Sequence, residues 1–508
     1  DHAHCLEQYS TEDFLREELQ LLGVAVERGM ELTHFQEVGD AVVADIVSKS
    51  KRSTERVRAS FLVAADGAKS SVRKNLGLDF PGHALDDSWV VAHCRLANLS
   101  SKVPRDSTWV VLGTGGLIMG IPLPEDTWEV IINLREEEAN AVLGKDRGCV
   151  PTESEFQSIL RGRGLAEVEV KDCQWISPFQ LNSRQVPRYS AGRVFMMGDA
   201  CHVHSPVGGQ GMNYGMQDAF NLSWKLAAVL RGDATSHILE SYTKERHMAG
   251  KLLVSLTDLQ TRVVTKISHM ELPELISSAV KALFSQAQQL GILQSQTSTM
   301  MQVFSQTTIS YAKVSQLVLE HWELPPIALS PTRIWHRRQT ALTYLSRSRV
   351  VAGDRAPNAS FKDGTSLHSL IHCTAKFTVL LFEAAPGYEA PKSWRGGWEV
   401  DTAQTAWALS ILGDGLLQCV TVGSDETDVQ KAFGVRGQCL YLVRPDGYTA
   451  LRSQPISRTV VSRFLTQRMG LKSIGVMSAV AADGSAAGLS STGPSSSPSA
   501  SVSSFLPS

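Results

Sequence analysis

A carboxylate stands directly after an apolar stretch in the second quarter of the chain. Residues 193–197 read RVFMM, a pattern typical of a buried strand, and Gly198 and Asp199 follow it. Ligands of α/β proteins bind beside the carboxyl ends of strands, where a carboxylate can accept hydrogen bonds from a polyol. Asp199 alone could equally cap a turn, but the glycines that come next favour a ligand site.

A glycine-rich loop separates Asp199 from a predicted helix that begins near Met212. Glycines allow the backbone to approach a flat ring, because they lack a Cβ atom. The first backbone amides of the helix would present a positive partial charge to a group in front of them. A tight turn would also explain the glycines. The candidate ligand-binding residues of this segment are Pro206, Gly209, Gly211, Met212 and Asn213.

A second candidate segment lies at residues 61–73. The apolar run FLVAA predicts a strand buried on both faces, and Asp66 and Gly67 end it. Ser70 or Ser71 fits the cap of a short helix. By itself, this pattern is equally typical of an Asp-Gly turn followed by a capped helix.

His202 and His204 form an HxH pair within the loop. A structural metal site needs more ligands than two, and the sequence offers no obvious third. The pattern therefore gives little support to a metal site, and we expect no metal.

The totals exclude several classes of protein. The 508 residues carry a net charge of −2 and an apolar fraction of 43%, which argues against a nucleic-acid-binding or disordered chain. No apolar run is long enough to span a bilayer. The eight cysteines include no CxxC pair, so we expect reduced thiols and a cytoplasmic protein.

The helices and strands that position these candidate residues are predicted to form an α/β fold with an inserted antiparallel sheet. Strand-like sequence fills residues 84–190 and interrupts an α/β unit in residues 1–83 and 191–232. The helix after Met212 should bury Met216, Ala219, Phe220, Ser223, Ala227 and Leu230 and leave Lys225 at the surface. Residues 233–348 are predicted helical, residues 349–475 form another α/β unit, and the Ser- and Ala-rich residues 476–508 should be disordered.

The two candidate segments, FLVAADGAKSSVR and RVFMMGDACHVHSPVGGQGMNYGMQDAFNLSWKL, resemble the internal FAD fingerprints of the FAD-dependent aromatic hydroxylases. This family comprises phenol hydroxylase-like flavin monooxygenases. Gln8, in QYSTE, matches a family glutamine that contacts the flavin, although a polar helix start explains it nearly as well. AGDRAPNASF and LYLVRPDGYTALR resemble the thioredoxin-like C-terminal domain of the phenol hydroxylase branch.

The resemblance implies a fold and an activity. The fold would be a partial Rossmann-like FAD-binding domain with an inserted antiparallel-sheet substrate domain, followed by a thioredoxin-like domain. NAD(P)H would reduce FAD, and the reduced flavin would use O2 to oxygenate an aromatic or polyketide-like small molecule. The flavin would lie against Asp66, Gly67, Asp199 and the loop from Pro206 to Asn213. Family members often use the last domain at a dimer interface, so a homodimer is also expected.

Two departures from the family qualify this expectation. The family's first fingerprint, GxGxxG, is lacking, and the chain begins with Asp1, which suggests a fragment. The 508 residues alone should then bind FAD poorly, and a catalytically silent homologue acting as a partner or scaffold is the alternative. An epoxidase or a Baeyer–Villiger enzyme of the same family is a further alternative.

The second departure lies on the substrate side. Relatives that hydroxylate simple phenols often carry IPRE and a Tyr on the next strand, whereas this chain has IPLPE at residues 121–125 and no Tyr after it. The groups that activate a phenol are therefore absent or elsewhere, and the sequence assigns no catalytic residue.

Overall fold

The structure is a computed structural model. It describes residues 6, 8–99, 108–113, 116–145, 148–205, 210–268, 309–322, 350–372, 376–384, 416–435, 437–454 and 456–472.

The two candidate segments are neighbours in a parallel pair of strands. β4 (Leu62–Ala64) pairs in parallel with β11 (Val194–Met196), and β10 (Ser190–Ala191) lies on the other side of β11. The expectation that FLVAA is buried on both faces is wrong at Val63, which is 37% exposed. α2 (Ser71–Asn75) follows β4, with the predicted cap at Ser70.

An antiparallel hairpin sheet precedes β4. It consists of β1 (Met30–Val38), β2 (Ala41–Ser48) and β3 (Ser53–Ala59), and Gly39 supplies the positive φ of the first turn. α1 (Gln8–Leu21) comes before this sheet. None of the residues of α1 is buried.

A larger antiparallel sheet lies between β4 and β11 in sequence. Its strand order is β12-β9-β5-β8-β7-β6, and its members are β5 (Gly82–Ala97), β6 (Trp109–Gly113), β7 (Gly116–Leu123), β8 (Thr127–Leu134), β9 (Glu169–Gln185) and β12 (His202–Val203). Side chains alternate between the two faces of such a sheet. Alternate residues of β5 and β8, such as Val90 and Val130, share a buried core with residues of α3 (Glu136–Leu143) and α4 (Glu153–Gly162). The opposite face is left to form the wall of a cavity.

Two long helices follow β12. α5 spans Gly211–Leu230, close to the predicted helix, and α6 spans Glu240–Ser268. The face predicted to be buried on α5 is wrong, because Phe220 is 56% and Leu230 59% exposed. Lys225, predicted at the surface, is fully buried. The reason is that the inward face of α5 carries charged side chains whose partners come from distant parts of the chain.

These partners form an ion cluster between α5, α6 and the C-terminal unit. Glu245 accepts hydrogen bonds from Arg444 at 2.7 and 3.0 Å and from the Lys225 ammonium group at 2.9 Å. Asn221 donates to the same carboxylate at 2.7 Å, and Arg444 also pairs with Asp446. Burial lowers the pKa of Lys225 to about 8, although the charge of the nearby Glu245 acts to raise it. We call Asn221, Lys225, Glu245, Arg444 and Asp446 the buried ion cluster.

The C-terminal unit is a mixed sheet with the order β13-β17-β16-β14-β15. Its elements are β13 (Leu319–Trp322), α7 (Leu367–His372), β14 (Phe377–Phe382), β15 (Leu417–Val422), α8 (Thr427–Phe433), β16 (Cys439–Val443), β17 (Thr449–Gln454) and α9 (Arg458–Arg463). Trp224 of α5 contacts Phe377 of β14 with ring centroids 5.3 Å apart, so one apolar core continues across both units. The described residues do not include residues 385–415 of the predicted α/β unit, most of residues 269–348, or the tail at residues 476–508.

Candidate functional site

A cavity of about 790 Å³ lies between the start of α5 and the free face of the large sheet. Such a volume is in the range of small-molecule sites. Its two walls differ in chemistry. One is a polar wall of loop and helix backbone, and the other is a largely apolar and aromatic sheet wall, formed by Val91, Ile131, Trp175, Phe179 and Leu181.

Asp199 lies on the polar wall, one residue after a turn that needs glycine. Gly198 has φ +59°, and its amide donates to the Asp218 carboxylate at 2.9 Å. Within the described residues the Asp199 carboxylate makes no hydrogen bond, although its surroundings desolvate it and raise its pKa. A carboxylate held at a cavity without a protein partner is suited to bind ligand hydroxyl groups.

The amino-terminal end of α5 faces the same cavity. Gly211 and Met212 line the cavity, Asn213 follows them in the first turn, and no side chain caps the helix. The first amides of a helix have no partner within the helix, and they carry the positive end of its dipole. This end of α5 can therefore stabilise a flat group that carries negative charge.

The two histidines of the loop have different roles. His202 is buried, and its Nε2 lies 2.9 Å from Asp218, so it connects the loop to α5. His204 lines the cavity, and its Nδ1 lies 2.8 Å from the Ser205 carbonyl oxygen. Burial lowers the pKa of His204 to about 4, so Nδ1 carries the proton and Nε2 is an acceptor. Nε2 has no hydrogen-bond partner among the described residues.

The first candidate segment lies beside the cavity. Asp66 accepts hydrogen bonds from the amides of Ser71 at 2.8 Å and Val72 at 3.2 Å, so its carboxylate caps α2. Burial would raise the pKa of Asp66, but these hydrogen bonds and that of Ser70 outweigh it and lower the pKa. Gly67 has φ +75°, as an Asp-Gly turn requires.

Arg73 joins the two candidate segments. Its buried guanidinium donates to the carbonyl oxygens of Ala68 at 2.7 Å and Ala200 at 3.1 Å. It also lies 4.0 Å from the ring centre of Phe80. Arg73 thus fixes the loop that contains Asp66 against the turn that contains Asp199.

Gln8 is the remaining described candidate. It lines the cavity and donates to Glu12 at 2.8 Å. Pro206 and Gly209 lie outside the described residues, so their predicted roles stay predictions.

The sequence did not single out a row of polar and aromatic side chains on the sheet wall. His93 of β5 lies beside Glu129 of β8 on one side and Trp175 of β9 on the other, and all three line the cavity. His93 Nε2 is 3.0 Å from a Glu129 carboxylate oxygen, and the His93 and Trp175 ring centroids are 4.7 Å apart. Alternation along each strand could have placed these residues on one face, but only the strand register brings them together.

The polar wall fits part of a flavin nucleotide. A flavin offers a polyol chain and a flat ring that becomes negatively charged when reduced. The carboxylate of Asp199 suits the polyol, and the first amides of α5, together with the acceptor on His204, suit the polar edge of the ring. Among the described residues, no group of three or more side chains could hold a metal ion.

Comparison with known proteins agrees with this geometry. A family model described as FAD binding domain matches residues 1–257. The 6-methylpretetramide 4-monooxygenase of Streptomyces rimosus is 38% identical over 260 residues, which cover 51% of this chain and 44% of that protein. A flavin-dependent monooxygenase of Mycobacteroides abscessus is 28% identical over 468 residues, or 89% of this chain and 76% of that protein.

A solved structure shows the same fold. The OxyS anhydrotetracycline hydroxylase from Streptomyces rimosus superimposes with a TM-score of 0.64 at 23% identity, covering 91% of this chain and 79% of that one. This chain spans about half the length of several curated relatives that it matches. No helix in the described residues is long and apolar enough to cross a membrane. Since the family model matches half of the sequence and includes both candidate segments, the chain belongs to the FAD-dependent aromatic hydroxylases that share this FAD-binding domain.

Proposed function

We propose that the protein is an FAD-dependent monooxygenase that uses NAD(P)H and O2 to hydroxylate a planar aromatic or polyketide-like small molecule. The cavity carries this proposal, because a flavin-type polar wall faces an aromatic wall across a single space. Bound FAD would supply the electron transfer and the activation of O2, which no amino-acid side chain provides.

The residues of the chain bind, orient and exclude water. Asp199 would hold the ribityl hydroxyls, and the amides of Gly211, Met212 and Asn213 would stabilise negative charge on the reduced ring. The apolar sheet wall would keep water away from the reacting ring. The other residues of the proposed FAD site are Gln8, Asp66, Gly67, Gly198, Pro206 and Gly209.

The names of the relatives support the substrate class. One refers to 6-methylpretetramide and another to anhydrotetracycline, and each is a monooxygenase or hydroxylase by name. The aromatic wall of this cavity offers Trp175 and Phe179 to a planar ring system. We infer a substrate of the same general class for this protein.

The C-terminal unit is proposed to be thioredoxin-like. From one edge of the sheet, four of its strands follow the order β15-β14-β16-β17. β14 and β15 are parallel, and β16 is antiparallel to both β14 and β17. A thioredoxin core has the same strand order and directions. By analogy with the family, this unit would take part in a homodimer of a cytoplasmic enzyme.

An FAD titration, followed by turnover with isotopically labelled O2, tests the proposed function. The full-length protein is titrated with FAD and then supplied with NADH or NADPH, a hydroxylated anthraquinone and isotopically labelled O2. We expect FAD to bind, one nicotinamide cofactor to reduce it, and one labelled oxygen atom to enter the product. A folded protein that binds FAD but is not reduced by either nicotinamide would instead favour the silent-homologue alternative.

A further inference from the structure

A histidine and a carboxylate form a pair on the wall opposite the proposed flavin side. His93 and Glu129 are directly opposite each other on antiparallel strands, with His93 Nε2 3.0 Å from the carboxylate. The His93 side chain is 10% exposed and that of Glu129 is 32% exposed. Both face the cavity among apolar side chains such as Val91 and Ile131, where an unpaired polar group would be costly.

The carboxylate determines which nitrogen of His93 can act as a base. An ionised Glu129 accepts a hydrogen bond from Nε2–H, and this selects the tautomer in which Nδ1 carries the lone pair. Nδ1 of His93 makes no hydrogen bond to any described residue, so it remains available to a ligand in the cavity. A carboxylate–imidazole pair with its second nitrogen free is the arrangement of a general base.

The ring of Trp175 covers the other side of His93. Their ring centroids are 4.7 Å apart, and Trp175 remains 43% exposed although it lines the cavity. An exposed indole in an apolar pocket offers a stacking surface to a planar ligand. A flat aromatic molecule stacked along this wall would bring a hydroxyl group on its edge to His93.

We propose that His93, oriented by Glu129, is the base that takes the proton of a phenolic hydroxyl on the substrate, which is therefore a fused-ring phenol. The phenol O–H bond breaks, its electron pair stays on oxygen, and the proton forms an N–H bond at His93 Nδ1. Glu129 stabilises the imidazolium, and the proton returns to the product oxygen after the ring has been oxygenated. This assignment deepens the proposed function and rests on it, and it supplies the phenol-activating group that the IPLPE segment lacks.

The phenolate is the reactive form that such a reaction needs. Ionisation of a phenol raises the electron density on the ring carbons ortho and para to the oxygen, which are the positions where an electrophilic oxygen adds. The other charged or titratable side chains that line the cavity are Lys69, Arg184, Asp199 and His204. None of these belongs to the strands that carry the His93–Glu129 pair, and Asp199 and His204 belong to the polar wall.

Ligand ionisation in the binary complex tests this assignment without turnover. The probe is a monohydroxyanthraquinone, whose visible absorbance moves to longer wavelength when its phenol ionises. In the full-length wild-type protein, the bound probe should ionise at a pH about one unit or more below the free probe. His93→Gln should abolish this shift and Glu129→Gln should reduce it. Unsubstituted anthraquinone should bind wild type and both variants with similar affinity.

The matched control is His34→Gln, since His34 is exposed on β1 and is not among the described residues that line the cavity. It should leave the probe's ionisation as in wild type. A shift that survives His93→Gln in a folded variant that binds the probe would overturn the assignment of His93. A wild-type protein that binds FAD but shows no shift would overturn it as well, whereas a failure to bind FAD would count against the proposed function instead.

Discussion

Among the described residues, Asp199 is the carboxylate of the polar wall, and its proposed role is to bind the flavin hydroxyls. It follows the Gly198 turn, lines the cavity and makes no hydrogen bond within the described residues. Hydrogen bonds that involve a charged group contribute about 1.5–3 kcal/mol, and each 1.4 kcal/mol corresponds to a factor of ten in affinity.

Asp199→Ala should therefore weaken FAD binding about tenfold or more. The measurement is the flavin retained per chain after dialysis of the full-length protein, together with a fluorescence titration. Asp40→Ala is the control, because Asp40 is exposed in a hairpin turn and its one ion pair among the described residues is a surface pair with Arg58. Equal retention in the two variants would remove Asp199 from the site.

His204 should make the stability of the fold depend on pH. Burial lowers its pKa from 6.5 to about 4, so the unfolded chain binds more protons than the folded one between these values. Stability is therefore lost as the pH falls from about 6.5 to about 4, and His204→Gln should reduce that loss. Urea unfolding at pH 7 and pH 5 measures it, with His237→Gln as the exposed control. If His204→Gln and wild type lost the same free energy of unfolding between pH 7 and pH 5, this prediction would be contradicted.

At the scale of elements, the buried ion cluster fixes the C-terminal unit to α5 and α6. Its charges compensate each other, so removing one partner leaves a buried charge unpaired, at a cost of about 3–5 kcal/mol. Burial would raise the pKa of Glu245, but Arg444 and Lys225 outweigh it and keep the carboxylate ionised.

Glu245→Gln should destabilise the protein by about 3–5 kcal/mol and separate the unfolding of the two units. Calorimetry on wild type and variant measures both effects. Asp425→Asn is the control, since Asp425 and Lys362 form an ion pair in which both side chains are more than half exposed. That variant should differ from wild type by less than about 1 kcal/mol. A single transition at the wild-type temperature in Glu245→Gln would contradict the proposed role of the cluster.

The helix α5 shows how far sequence reasoning reaches. Its bounds were predictable because a glycine loop precedes it and Gly232 follows it. Its buried face was not predictable, because Asp218 and Lys225 are neutralised by Arg246 and Glu245 of another helix. The cavity, too, was predictable only in part. Asp199 was predictable from its local pattern, whereas the pair of His93 and Glu129 depends on strand register between residues 36 apart.

At the scale of the whole molecule, the C-terminal unit should have no disulfide oxidoreductase activity. Cys419 and Cys439 lie on β15 and β16, which are separated by β14, and Cys373 lies outside the described residues. Burial raises the pKa of the Cys439 thiol to about 12, which makes it a poor nucleophile. The full-length protein should fail to reduce insulin disulfides, and turnover that Cys439→Ser abolished would refute this.

The position of bound flavin decides whether the start of α5 and Asp199 form the flavin site. A crystal structure of the full-length protein with FAD should place the flavin ring within hydrogen-bond distance of the amides at the start of α5 and the ribityl chain beside Asp199. The remaining volume of the cavity should then lie between the ring and His93. A flavin bound anywhere else on the folded protein, or a ring that fills the space against the sheet wall, would contradict the account.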